Sequence, residues 1–177
     1  MVDILRCIYL IILFIFSSGS SWAVEDPGPI QITSDNYRPN IDDYPADLKT
    51  SIHQKGQWLL EGLKNSLKEG KIIAVSDGGR EVDPALYENI ARTIQEASYD
   101  GKPFIHDPGQ GYEPYIIPKK ILVTFEDLNK EHKKVELFFY PDYFAMEYVG
   151  QEFGKPTHID FSYQAQAYSA FYKELNK

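Results

Sequence analysis

Apolar residues recur at helical spacing in the first two thirds of the chain and alternate in the last third. Between residues 46 and 69 they recur mainly at intervals of four and seven, which predicts an amphipathic helix. The residues of this stripe are Leu48, Ile52, Leu59, Leu63 and Leu67. Gly70 follows the stripe, at a position where glycine commonly caps a helix in the left-handed conformation.

A short strand and a second helix are predicted next. Residues 71–76 are rich in β-branched side chains and precede a glycine-rich turn at 77–79, which favours a strand. Asp83 followed by Pro84 is typical of a helix start, because the carboxylate caps free N–H groups and proline fits the first turn. The stripe of this helix is Leu86, Ile90, Ile94 and Ala97, and the helix is predicted to end near Ser98.

Alternating apolar residues from residue 119 onward predict four strands. Their apolar positions fall at 121–125, 135–139, 144–148 and 159–163, and a last amphipathic helix is predicted from about Gln164. Strands joined by short turns usually pair antiparallel. We therefore predict an α+β fold: an antiparallel meander of about four strands with one additional short strand, and helices before and after that pack on one face.

The first 23 residues have the pattern of an export signal. The apolar run at 8–16 is shorter than the ~20 residues that span a bilayer, but it fits the roughly 7–15 residues of a signal core. Ser21 and Ala23 are small residues at the −3 and −1 positions of a signal cleavage site after Ala23. We predict a signal peptide at 1–23, an extended leader at 24–45 and one α+β domain at 46–177. The alternative is an uncleaved anchor.

Charge and cysteine content narrow the classes of partner. Because Asp3 and Arg6 cancel, removing the signal leaves the net charge at −8, which opposes nucleic acid and anionic membranes. The charge permits a basic protein partner, although it would also serve solubility alone. The single cysteine, Cys7, lies in the signal, so no disulfide or thiolate metal site is expected in the mature chain. We expect a bacterial periplasmic or secreted protein with no membrane span after cleavage.

Two histidine–carboxylate pairs are candidates for chemistry. His106 precedes Asp107 in a long connection at 102–118, and a carboxylate beside an imidazole can support a general base. The alternative is that Asp107 only sets a turn. His158 and Asp160 are two apart on a strand, so they share a face, with Glu147 or Glu152 as neighbours. A solvated polar face is the alternative here.

Tyrosines are the remaining candidates, because their rings and hydroxyls suit protein interfaces. The predicted binding residues are His106, Asp107, Tyr112, Tyr115, Tyr140 and Tyr143. No catalytic residue, metal or cofactor is predicted. The favoured hypothesis is an exported, acidic, non-catalytic binding protein, of the inhibitor or immunity type, with a basic envelope or secreted partner. The alternatives are a small-ligand-binding or envelope-assembly module, and a small hydrolase using His106/Asp107 or His158/Asp160.

Overall fold

A computed structural model describes residues 24–107, 117–150, 157–166 and 168–175. The α-helices in these ranges are α1 (Ala46–Glu69), α2 (Tyr87–Glu96) and α3 (Tyr168–Leu175). Short 3₁₀ helices at Ile41–Asp43 and Pro84–Leu86 precede α1 and α2. In the described part of the chain, no helix is both long enough and apolar enough to cross a membrane.

An antiparallel sheet forms the second layer. Its strands are β1 (Gly70–Asp77), β2 (Arg80–Glu81), β3 (Ser98–Tyr99), β4 (Phe104–Ile105), β5 (Lys119–Asp127), β6 (His132–Phe139), β7 (Phe144–Gly150) and β8 (Thr157–Gln164). Their order is β2-β1-β5-β6-β7-β8-β3, and β4 also pairs with β8. The predicted α+β class with antiparallel strands is confirmed.

The predicted number of strands is too small, because the described residues form eight strands and not about five. The strands that the sequence did not indicate are β2, β3 and β4, each of two residues, too short to show a period. One of them, β4, lies inside the long connection predicted at 102–118. The last helix starts at Tyr168 and not near Gln164, because β8 continues through Gln164.

The limits of α1 and the cap at Asp83, which opens the 3₁₀ helix before α2, follow their local sequence. The observed α1 has the predicted limits, and the Asp83 carboxylate caps the backbone N–H of Ala85 at 2.9 Å. The predicted left-handed cap at Gly70 is wrong. Gly70 is extended, with φ −156° and ψ −164°, and it opens β1. A side chain there would overlap the carbonyl oxygen of Glu126 on β5, so the close approach of these two strands requires glycine.

Helices α1 and α3 pack against one face of the sheet, which we call the inner face. On α1, the Gly56 carbonyl accepts a hydrogen bond from the Tyr163 hydroxyl of β8 at 2.9 Å. On α3, the centroid of the Phe171 ring lies 5.5 Å from the centroid of the Phe139 ring of β6. The sheet residues of this inner core include Ile121, Val123, Phe125, Leu137, Phe139, Phe144, Ile159, Phe161 and Tyr163, and each is almost fully buried.

The segment before α1 also contributes to this core. Residues 24–40 contain no helix or strand, yet Ile30 and Ile32 are 2% and 0% exposed. Tyr44 is buried as well, and its hydroxyl accepts a hydrogen bond from the Arg38 backbone N–H at 2.9 Å. The leader is therefore anchored to the core of the domain through Ile30, Ile32 and Tyr44. Residues 1–23 lie outside the described ranges, so the signal peptide stays a prediction.

Candidate functional site

The opposite, outer face of the sheet collects polar side chains where β4, β7 and β8 meet. Residues of β8 alternate, so Ile159 and Phe161 point inward while His158 and Asp160 point outward. The register of the β7–β8 pair places Glu147 opposite Asp160. Beyond the end of β4, the backbone N–H of His106 donates to the carbonyl of His158 at 2.9 Å. The strand pairing thus assembles residues that are distant in sequence.

Four side chains form what we call the outer-face cluster: His106, Glu147, His158 and Asp160. The His106 Nε2 atom lies 3.1 Å from Asp160 Oδ2, and His158 Nδ1 forms a short contact with Glu147 Oε1. The two imidazole centroids are 6.5 Å apart. The His106 and Asp160 side chains are 10% and 13% exposed, while Glu147 and His158 are about a fifth exposed. Two neighbouring histidine–carboxylate pairs therefore sit near the surface.

These pairings differ from the two that the sequence suggested. His106 contacts Asp160 and not Asp107, because successive residues of an extended chain point to opposite sides. Asp107 lies close enough to Tyr37 that its charge, after the larger effect of burial, raises the pKa of that tyrosine. His158 pairs with Glu147, one of the two expected neighbours. Glu152, the other expected neighbour, lies outside the described residues.

Two of the predicted binding tyrosines lie beside the outer-face cluster. The Tyr140 and Tyr143 rings are stacked, with centroids 4.7 Å apart, in the turn between β6 and β7. Burial raises the pKa of Tyr140 to about 12, and the negative charges of Asp160 and Glu147 add to that shift. Burial and Asp160 likewise raise the pKa of Tyr143. Both hydroxyls therefore stay protonated at neutral pH. Tyr112 and Tyr115, the other predicted tyrosines, lie outside the described residues.

Exposed apolar side chains flank the outer-face cluster. Phe104, opposite Asp160, is 62% exposed, and its ring packs edge-on against the His106 ring at 4.7 Å. Val149, opposite His158, is 46% exposed. Sequence reasoning missed both residues. The Phe104 position carried no signal because β4 is only two residues long. Val149 carried none because the apolar alternation of β7, at Phe144, Met146 and Tyr148, marks the opposite face of that strand.

The chemistry open to this site is set by its polar groups. The carboxylate oxygen Asp160 Oδ1 is buried and accepts no hydrogen bond within the described part of the chain. Ser162, on the same face of β8, has its hydroxyl 2.8 Å from Asp100 Oδ2, so it is engaged away from the histidines. Among the described residues, no group of three or more His, Cys, Asp or Glu side chains is arranged to hold a metal ion.

Comparisons with known proteins returned no relative. No family model, curated protein or solved structure matched this chain. A function therefore has to be argued from the site itself, from its geometry, charge and exposure.

Proposed function

We propose that the protein is a non-catalytic binding protein that recognises a basic protein through the outer face of its sheet. The observation that carries this proposal is the combination of exposed Phe104 and Val149 with the carboxylates of Glu147 and Asp160 on one face. Exposed apolar side chains beside polar groups are characteristic of interaction surfaces. An inhibitor or immunity-type role, with a basic envelope or secreted partner, fits this chemistry.

Charge supports a basic partner. The chain has a net charge of −8, so a positive surface would be attracted before contact. Each cluster carboxylate is held by a histidine, so little side-chain freedom remains to be lost on docking. The partly exposed Tyr143 ring, stacked on the buried Tyr140 ring, adds aromatic area with a protonated hydroxyl, which suits an interface. Added salt should slow association and leave dissociation nearly unchanged, because screening acts mainly on encounter.

The experiment that tests this proposal is a comparative capture from envelope and secreted fractions. We expect the wild-type mature chain to retain a basic protein and the Glu147→Gln/Asp160→Asn variant to lose it. Asp42→Asn serves as the control, because Asp42 is an exposed carboxylate on the 3₁₀ helix before α1. Equal retention of the same partner by the double variant would rule out the outer face as the interface.

Export is part of the proposal and rests on the apolar run at 8–16 and the small residues before residue 24. Protein purified from its native host should begin at Val24. An intact-mass measurement that finds residues 1–23 retained would contradict export by a cleaved signal.

A small hydrolase is the second candidate, and the 3.1 Å contact between His106 and Asp160 favours it. A carboxylate partner can fix the tautomer of an imidazole and stabilise its cation, as a general base requires. The proposal ranks second because Ser162, a hydroxyl on the same face, is engaged by Asp100. Hydrolysis of chromogenic esters and phosphodiesters that His106→Asn abolishes would support this candidate. Activity unchanged in that variant would eliminate it.

A further inference from the structure

A buried lysine lies far from the outer-face cluster in sequence, on α1. The Lys55 side chain is only 3% exposed. Its ammonium nitrogen lies 4.8 Å from the centroid of the Trp58 ring and 5.1 Å from that of the Tyr148 ring. Both rings stabilise the cation, but a buried ammonium also needs a hydrogen-bonded counter-charge. Helix α1 supplies Lys55 and Trp58, and β7 supplies Tyr148, so regular elements hold all three side chains.

The counter-charge comes from the irregular leader. The Asp26 carboxylate forms a short ion pair with the Lys55 ammonium, and this hydrogen bond lowers the pKa of Asp26. The Gly28 backbone N–H also donates to Asp26 at 3.0 Å. The Asp26 side chain remains 45% exposed, whereas its lysine partner is buried. A second contact follows, because the backbone N–H of Ile30 donates to the Tyr148 hydroxyl at 3.2 Å.

We propose that Lys55, Trp58 and Tyr148 form a carboxylate-binding cradle, and that Asp26 is its tethered ligand. Lys55 and the two rings belong to a helix and a strand, whereas Asp26 belongs to a segment without helix or strand. A tethered group acts at an effective concentration of the order of millimolar or more, so it outcompetes dilute free carboxylates. An acidic peptide that reaches the cradle must displace the leader, which therefore acts as a built-in competitor.

The test replaces the tethered carboxylate and supplies a free one. We use the full chain with Asp26→Asn and compare thermal unfolding in sodium acetate and in sodium chloride at equal ionic strength. Acetate at tenfold its dissociation constant should raise the unfolding midpoint of Asp26→Asn by about 2–6 °C over chloride. Wild type should show no acetate-specific rise, because Asp26 occupies the site. Asp35→Asn is the matched control, since Asp35 is an exposed carboxylate of the same leader.

A second substitution makes the result decisive. In Asp26→Asn/Lys55→Met the buried cation is gone, so the acetate effect should disappear. An acetate-specific rise that persists in this double variant, or one that is as large in wild type, would overturn the cradle. Absence of any rise in Asp26→Asn would overturn it too. If Asp26→Asn folds only with acetate, the proposal stands. If it fails to fold in both salts while the double variant folds, the cradle does not accept a free carboxylate.

Discussion

The two faces of β7 and β8 are built from alternate residues of the same strands, yet they differ in kind. Inward, Phe144, Phe161 and Tyr163 are fully buried beneath the helices. Outward, Glu147 and Asp160 meet histidines at a face that exposes Phe104 and Val149. The inner face is a packed apolar core whose stability comes from burial. The outer face keeps charge and apolar area near water, an arrangement that suits recognition better than stability.

The largest effect should come from emptying the inner face. Phe139 is 1% exposed and contacts Phe144 of β7 and Phe171 of α3. Phe139→Ala should lower the free energy of unfolding by about 3–5 kcal/mol, because it leaves a cavity in a packed core. Chemical denaturation measures this loss. A loss below about 1 kcal/mol would place Phe139 outside the core.

Adding a methyl group to α1 where it contacts the inner face should lower the free energy of unfolding less than removing the Phe139 ring does. A Cβ at Gly56 would come within 2.6 Å of Phe161 and 2.9 Å of Tyr99. Gly56→Ala should therefore destabilise by about 1–3 kcal/mol, despite the better helix propensity of alanine. Gly62→Ala is the control, because beyond the adjacent backbone of its own helix no atom lies within 4 Å of a Cβ there, and it should be neutral or stabilising. Equal effects at the two glycines would contradict the close helix–sheet contact.

Alkaline pH should lower the free energy of unfolding mainly through the buried tyrosines. Burial raises the pKa of Tyr163 and Tyr168 on the inner side, and that of Tyr140 to about 12. A raised tyrosine pKa means that the folded state holds its proton longer than the unfolded chain does. The tyrosine contribution to stability should be constant below about pH 10 and then fall as pH rises, because only the unfolded tyrosines ionise there. Urea unfolding from pH 8 to 11 would show this slope, and a flat profile would contradict it.

On the outer face, loss of a polar contact should have a small effect on stability. Asp160→Asn weakens one hydrogen bond to His106 near the surface, so we expect a loss of about 0.5–1.5 kcal/mol. Urea denaturation beside Phe139→Ala gives the direct comparison. A loss as large as that of Phe139→Ala would show that the outer-face cluster holds the fold together, and the contrast between the two faces would fail.

How far the sequence could predict the structure differs between the two faces. Periodicity predicted the limits of α1 and a strand with apolar positions at 135–139, because the buried residues of a regular element recur with the period of that element. Leu137 and Phe139 of this strand are buried in the inner core. It did not predict the contact between His106 and Asp160, which are 54 residues apart. That contact depends on β4, a strand of two residues whose pairing no local pattern indicates.

The segment before α1 shows the same limit. Its lack of periodicity predicted an extended leader, but the pairing of Asp26 with Lys55 left no trace in the pattern. A single lysine in a helical sequence is ordinarily predicted to be solvent-exposed. Only the tertiary structure places Lys55 beside two aromatic rings.

The central claim is that the outer face binds a partner, and its most direct test is the dissociation rate of the captured protein from two surface variants. Phe104→Ser removes a 62% exposed ring beside the outer-face cluster, and Leu128→Ser removes an 84% exposed side chain in the β5–β6 turn. We predict that Phe104→Ser speeds dissociation by about tenfold or more and that Leu128→Ser leaves it unchanged, since loss of an anchor acts on dissociation. Dissociation from Phe104→Ser at the wild-type rate would contradict the claim.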